Sequence, residues 1–393
     1  MAGRFFQGYP WRWALTDLDT ATIALVDRVS AGKQVLRDLN RPWTMSGQAP
    51  SADPLLSILH DDGRPYLAAN VRLLYGFRDE GGSPPWVVQA SGIVLQLSEE
   101  ADEDESVSKY VAYDPWQLLY RRPMRNSAGA LAAARFDGVS ADEVALTLLQ
   151  RTIDVDGPVR IDAGAGWSGT AGWAGSIENP LGLVVHEFAK NVSVGEAWDW
   201  LVAAGYLDIE LAPIYDPVDR PGYLSDLSIH AEKGSTRHNA VFAWDMGPRS
   251  VTKMTRLEDG TKLANIVVAD GAAGSDITAS ASDSGSVAMF GPYFGQQIQV
   301  ESVDRDVLTN LAAIELLLRK EPPETVAITP AVGRAPIPFV DYDVGDRVPV
   351  WASSRLRKPI DGDASPSRVR GIHVEISDDG YEDVGQLVTD VAA

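Results

Sequence analysis

The stretch "VDYDVGDRVPVWAS", Val340 to Ser353, sets three aspartates (Asp341, Asp343, Asp346) around a glycine and then runs into valine and tryptophan. Oxygen-rich side chains beside a turn are the raw material of a cation loop, of acid–base chemistry, or of a solvated approach to a strand. A calcium loop of the EF-hand type needs oxygens at further fixed positions and a bidentate glutamate near the twelfth. Here Arg347 and Pro349 occupy the way there. The stretch therefore reads as a turn at Gly345-Asp346 feeding the strand "RVPVWAS", with the acids keeping the approach wet.

Working outward, the C-terminal part carries more strand signal. "TVAITPAV" (Thr325–Val332) and "SRVRGIHVEISDDGYEDVGQLVTD" (Ser367–Asp390) are rich in β-branched residues, the latter with a turn at Asp379-Gly380. Before them, "DRDVLTNLAAIELLLRKEPPE" places Leu308, Leu311, Ala312, Ile314, Glu315 and Leu318 at helical spacing, predicting a helix over 304–320 closed by Glu321-Pro322-Pro323. Asp259-Gly260 reads as a hairpin turn. The Gly/Ser/Ala-rich run 270–293 reads as a long loop or mobile arm.

The N-terminal part is also strand-like: "ATIALVDRV", "RPWTMSGQ", "YLAANVRLLYGF" and "WVVQASGIVLQLS", with a short helix expected over "SADPLLSIL" (Ser51–Leu59). "EEADEDES", Glu99 to Ser106, reads as a solvated loop tip between strands. In "YDPWQLLYRRP", Asp114 and Pro115 open a helix with Trp116, Leu119 and Tyr120 on one face, ended by Pro123. Two more helices announce themselves by capping boxes, Ser140 with Glu143 and Ser193 with Glu196. The domain reading is β-rich 1–125, mixed α/β 126–245, and β-rich 246–393. The fold class is mainly β with some α (α+β).

Composition limits the function. The 393 residues exceed what one core usually serves, and 45% apolar with 23% charged is a globular balance. There is no cysteine, so disulfides, thiolate metal sites and cysteine nucleophiles are out. No run of about eighteen apolar residues is present, so the chain is expected to be soluble, made in a cytoplasm, and not to insert in a membrane. A net charge of -21 repels phosphate backbones, which argues against groove reading of nucleic acid but not against a surface past which DNA slides.

The search for chemistry is empty. His60, His186, His230, His238 and His373 show no spacing that puts two imidazoles on one metal. Gly164, Gly166 and Gly169 spell G-x-G-x-x-G, but glycines, Trp173 and Asn179-Pro180 follow instead of a helix, so no dinucleotide site is read. Gly32-Lys33 lacks the upstream glycine of a phosphate loop, and "GAGWSGTAG" fails the nucleophile-elbow pattern. No catalytic, cofactor-binding or metal-binding residue is assigned, and no cofactor is expected. Paired carboxylates, which any two of 55 acids could form, leave a cell-wall (peptidoglycan or carbohydrate) hydrolase as an alternative. Eleven tryptophans leave a carbohydrate-binding module as another.

At "RLLYGFRDEGGSPPWVVQASGIVLQLSE" with "VAYDPWQLLYRRP", the chain resembles minor tail proteins of long-tailed phages of actinobacteria, and more broadly the baseplate-hub family of the phage tail tip. "VDYDVGDRVPVWAS" and "RVRGIHVEISDDGYEDVGQLV" resemble the closing module of such hubs. The resemblance implies two tail-tube-like β-barrel or sandwich domains around smaller middle domains. It also implies a homotrimeric ring under a sixfold tube, with a distal tail protein, a tape measure protein and other minor tail proteins as partners. It further implies a location at the virion tail tip and genomic DNA passing a negative lumen without specific binding. Many relatives carry an added C-terminal cell-wall hydrolase or fibre-like extension, and an end at Ala393, soon after the closing strand, lowers the expectation of a lysin or adsorption role.

Overall fold

A computed structural model describes residues 11–17, 23–25, 30–50, 71–78, 86–101, 106–156, 161–162, 185–188, 190–203, 207–216, 222–245, 247, 249–292, 294–300, 302–331, 333–352, 360, 366–376 and 382–390. In chain order the first elements are β1 (Trp11–Asp17), β2 (Ile23–Leu25), β3 (Ser30–Asp38), β4 (Thr44–Pro50), β5 (Val71–Arg78), β6 (Trp86–Ala101) and β7 (Ser106–Tyr113). Then come α1 (Trp116–Leu119), β8 (Ala134–Asp137), α2 (Ala141–Asp156), β9 (Ile161–Asp162), β10 (Val185–Phe188), α3 (Val194–Ala203), β11 (Asp208–Asp216) and β12 (Gly222–His230). The remainder is β13 (Phe242–Ala243), β14 (Val251–Glu258), β15 (Ile266–Asp270), β16 (Thr278–Ser282), α4 (Ser284–Phe290), β17 (Gly295–Gln299) and α5 (Arg305–Arg319). It closes with β18 (Glu324–Pro330), β19 (Arg347–Val348), β20 (Val350–Trp351), β21 (Ser367–Ile376) and β22 (Glu382–Asp390). The fold is mainly β with helices added, as the residue patterns predict.

The two ends of the chain, strand-like when read separately, meet in a single sheet of twelve strands. Its order is β14-β18-β22-β21-β3-β4-β7-β6-β5-β1-β2, with β19 sharing the β3 edge of β21. The join is β21 against β3, antiparallel, from Gly371 opposite Asp38 to Ile376 opposite Lys33. Side chains alternate across a strand, so β3 sends Val35 inward and Leu36 outward, and Val35 lies opposite Val374 with both fully buried. One apolar core results, taking Val35, Trp43, Met45 and Ala112 from the first half and Phe242, Val326, Ile328, Tyr342, Val348, Val374 and Leu387 from the second.

A second core shares no residue with it. It is built from α1, α2, α3, β8, β10, β11 and β12, around Trp116 and Trp198 packed edge to face at 5.3 Å. Of the three helix starts expected here, at Asp114, Ser140 and Ser193, the first and last show the side-chain bonds the sequence predicts. Asp114 accepts from the Trp116 amide at 2.7 Å, and Ser193 and Glu196 exchange the reciprocal bonds of a capping box, 3.2 Å and 2.7 Å. A third, small core lies between α5 and the sheet β16-β15-β17. Asp304 caps α5, and Ile314 from α5 reaches into the second core.

Three expectations are corrected. Asp259-Gly260 is no hairpin turn, because β14 pairs with β18 and β15 pairs with β16 and β17. Asp259 instead caps its own bend through the Thr261 amide at 2.9 Å. The run 270–293 is not one long loop: it contains β16 and α4, the latter capped by Asp283 on the Ser286 amide at 2.8 Å. Nor does "RVPVWAS" make one strand. Pro349 lacks the amide a ladder needs, and the run divides into β19 on β21 and β20 parallel to β13. The short helix at Ser51–Leu59, the glycines Gly164, Gly166 and Gly169, the turn at Asp379-Gly380, the middle of the acidic run and His60 lie outside the described residues.

Candidate functional site

The three aspartates of the opening stretch go to three different places. Asp341 accepts from the Ile337 amide at 2.7 Å and closes a tight turn in which Phe339 stands at φ 62°. Asp343 faces Arg37 at 2.8 Å and Lys233 at 3.5 Å. Asp346 is 2% exposed, so the expected wet approach is corrected: this carboxylate is inside the molecule. It is held by the Ser235 amide at 2.7 Å, by Arg237 Nε at 2.9 Å and by the Asp343 amide at 3.0 Å. A buried carboxylate is tolerated only when donors replace its water, and here three do.

Gly345 explains the rest of the motif. Its φ is +91°, and a Cβ there would lie 2.9 Å from the Lys233 carbonyl. Across from it, Gly234 has φ +100°, and a Cβ would come within 2.3 Å of the Gly345 carbonyl. Two backbones touch at this point because neither residue has a side chain.

Around this contact sits a charged junction drawn from the whole chain. Arg37, on β3 with its side chain 4% exposed, reaches Glu210 at 2.6 Å and Asp343 at 2.8 Å, while its guanidinium lies 3.7 Å from the centre of the Trp43 ring. Lys233 reaches Glu210 at 2.8 Å. Asp208 accepts from Asn40 at 2.6 Å, from the Lys233 amide and from Arg368. Asn40 Oδ1 in turn accepts from the Ile209 amide at 2.9 Å. Arg37 and Asn40 come from the first half, Asp208, Glu210 and Lys233 from the middle, and Asp343 and Arg368 from the end. Every carboxylate of the set is engaged by cations or amides, so the arrangement holds backbone segments in register rather than presenting a free base.

Beside the junction opens a cleft of about 1100 Å³. One wall is the main sheet, with Leu36, Asp38, Arg41 and Arg370; the other carries Tyr120, Asp199, Val202 and Ala203, with Leu318 of α5. Tyr120 donates to Asp199 at 2.6 Å. Burial pushes the Asp199 carboxyl above the usual range, against the lowering effect of the Tyr120 hydrogen bond, and burial and Asp199 together push the Tyr120 hydroxyl up. Burial likewise raises Asp38, partly offset by Arg41.

The histidines are scattered. His186 is buried edge-on to Trp200 at 5.7 Å, and burial lowers it to about 4. His230 is 3.9 Å from Glu210, His373 is 3.7 Å from Glu375, and His238 is exposed. Among the described residues no three His, Asp or Glu side chains gather in a metal-binding group. Sequence reading singled out Asp343 and Asp346 but missed Arg37, Asn40, Asp208, Glu210, Lys233 and Arg368. Asn40 carries no mark at all, and the only mark of the other five is charge, which 89 lysines, arginines, aspartates and glutamates share (34 plus 55).

No protein-family model and no curated protein sequence matches the chain. Solved structures do. The tail protein from Neisseria meningitidis MC58 aligns with a TM-score of 0.56 at 10% identity, over 97% of this chain and 97% of that one. The 43 kDa tail protein of prophage MuSo2 from Shewanella oneidensis aligns with a TM-score of 0.54 at 11% identity, over 97% and 98%. The chain shares the fold of these two proteins. The likeness spans nearly the whole chain in both comparisons.

Proposed function

We propose that this chain is a structural protein of a long-tailed phage virion, a tail-tip baseplate hub without catalytic activity. It works as a homotrimeric ring that joins the tail tube to a distal tail protein, a tape measure protein and other minor tail proteins. The observation that carries the reading is the end-to-end likeness to tail proteins, 97% of both chains in the first comparison. Two features support it. The β-rich first and last parts, 1–125 and 246–393, meet in one sheet, which suits a pair of tube-like units presented to a tube of higher symmetry. A net charge of -21 suits a lumen that DNA must leave without sticking. In the same reading, 126–245 forms the middle region outside the tube.

Light scattering on the purified chain, followed by negative-stain imaging, tests it. The expected result is a ring of about 127 kDa, three times the 42.4 kDa of one chain. A monomer at every concentration, or release of muropeptides or sugar from cell walls, overturns it.

A further inference from the structure

We propose that the body built on the second core rocks against the main sheet, with the charged junction as its pivot, and that the cleft beside the junction closes by bringing Leu36 and Leu318 together. The proposal stands on the geometry of this chain alone and does not depend on the tail role.

Four observations carry it. First, among the described residues the two large cores share no side chain, so no common apolar cluster locks the bodies in one orientation. Packed cores resist sliding, whereas polar contacts between bodies exchange partners with little change in area. Second, the junction is built for exchange: Arg37 and Lys233 each serve the same two carboxylates, Glu210 and Asp343. A small rotation shifts each cation toward one acid or the other without leaving any group unpaired. Third, Gly234 and Gly345 meet backbone to backbone, with no side chain of either residue between them. Fourth, the two walls carry leucines that face solvent. Leu36 on β3 is 40% exposed and Leu318 on α5 is 44% exposed, and both line the cleft with half-buried Val202. Closure removes this apolar surface from water, a favourable change. The form described above is then the open one.

The groups that line the cleft fit the same account. Asp38 and Asp199 are carboxyls held up by burial in the open form, and Arg41 acts on both. Closing the walls brings no uncompensated like charge, since Arg347 is paired with Glu232 and Arg370 with Asp390 at the rim.

The absence of native cysteine makes the test direct, because two introduced thiols are the only labelling sites. Spin labels at Thr44→Cys and Ala203→Cys, both lining the cleft, report the distance between the walls. The expected result is two distance populations. In a Leu36→Ser, Leu318→Ser background the shorter one falls about tenfold relative to the longer. Both leucines are partly exposed, so the serine variant keeps its far-ultraviolet circular dichroism. One population in the parent, or two whose ratio the serines leave unchanged, overturns the proposal. A single population that shortens only when another tail protein is added also overturns it, because the leucines then serve a partner rather than closure.

Discussion

Two seams in the described part of the molecule are made of opposite materials. Where the first half meets the last, β3 lies on β21, Val35 faces Val374, and the contact is a dry sheet over a shared apolar core. Where the middle body meets the sheet, the contact is Arg37, Asn40, Asp208, Glu210, Lys233, Asp343 and Arg368, arranged around two touching glycines. Apolar burial adds up with area and has no preferred direction. Ion pairs and hydrogen bonds have direction, contribute little net when satisfied and cost heavily when one member is lost. The first seam is therefore a permanent weld, and the second fixes a geometry while staying separable.

The largest test of that contrast is Trp198→Ala. It empties the centre of the second core and removes the indole bond to the Ala145 carbonyl at 3.0 Å, costing about 5 kcal/mol. If the cores are separate, differential scanning calorimetry splits into two transitions, with the main-sheet transition unmoved. A single transition lowered as a whole would merge the seams into one cooperative unit. Next, Arg37→Met strands Glu210 and Asp343 beside Lys233 alone and costs about 4 kcal/mol in urea unfolding. The combined Arg37→Met, Glu210→Leu change removes cation and acid together and recovers most of the loss. Equal losses in both variants would mean that packing, not charge balance, holds this seam.

A third test uses pH and reaches only the middle body. Burial holds the folded His186 at about 4 against an ordinary value of 6.5. Between those two values the unfolded chain binds the extra proton. Stability is therefore full above pH 6.5 and declines as pH falls toward about 4, by roughly 3 kcal/mol in all at 1.36 kcal/mol per unit. His186→Phe removes that slope from the transition of the second core and leaves the acid response of the main sheet as it was. The smallest effect is expected of Gly234→Ala, about 2 kcal/mol, from a left-handed backbone and a Cβ driven against Gly345. The loss appears as accelerated amide exchange at Lys233 and Ser235, with the β3–β21 amides unchanged.

Some local signals in the sequence mark their elements where the structure has them, whereas Asp259-Gly260 is not the hairpin turn its dipeptide suggests. The Ser193–Glu196 box, the Asp114 cap and the α5 periodicity depend on residues within one or two turns of each other, and each is found where it was expected. The run 270–293 misled because its composition is that of a loop. Its β16 alternates serine, alanine and threonine with little apolar contrast, and α4 carries no charged residue to mark its faces. The one local signal was Asp283 followed three residues later by an amide it could cap. The three aspartates stand out as an unusual density of carboxylates, but the side-chain partners of Asp343 and Asp346 lie far off in the chain. Asp346 binds Arg237 across 109 residues, and Asp208 binds Arg368 across 160. No periodicity or motif encodes such pairs; only the folded backbone brings them together.

The pairing of β3 with β21 also sets a timetable for the chain during its synthesis. The edge of β3 that receives β21 has no partner until residues near Ile376 have emerged, more than three hundred residues later. At about 5–20 residues per second, that interval is on the order of twenty seconds to a minute. Throughout it, a half-made sheet offers an open strand edge beside Val35 and Met45, the kind of edge on which other chains stack. The ribosome thus holds this protein in an adhesive state for most of its making, and chaperones that cover strand edges are the factors on which its yield should depend.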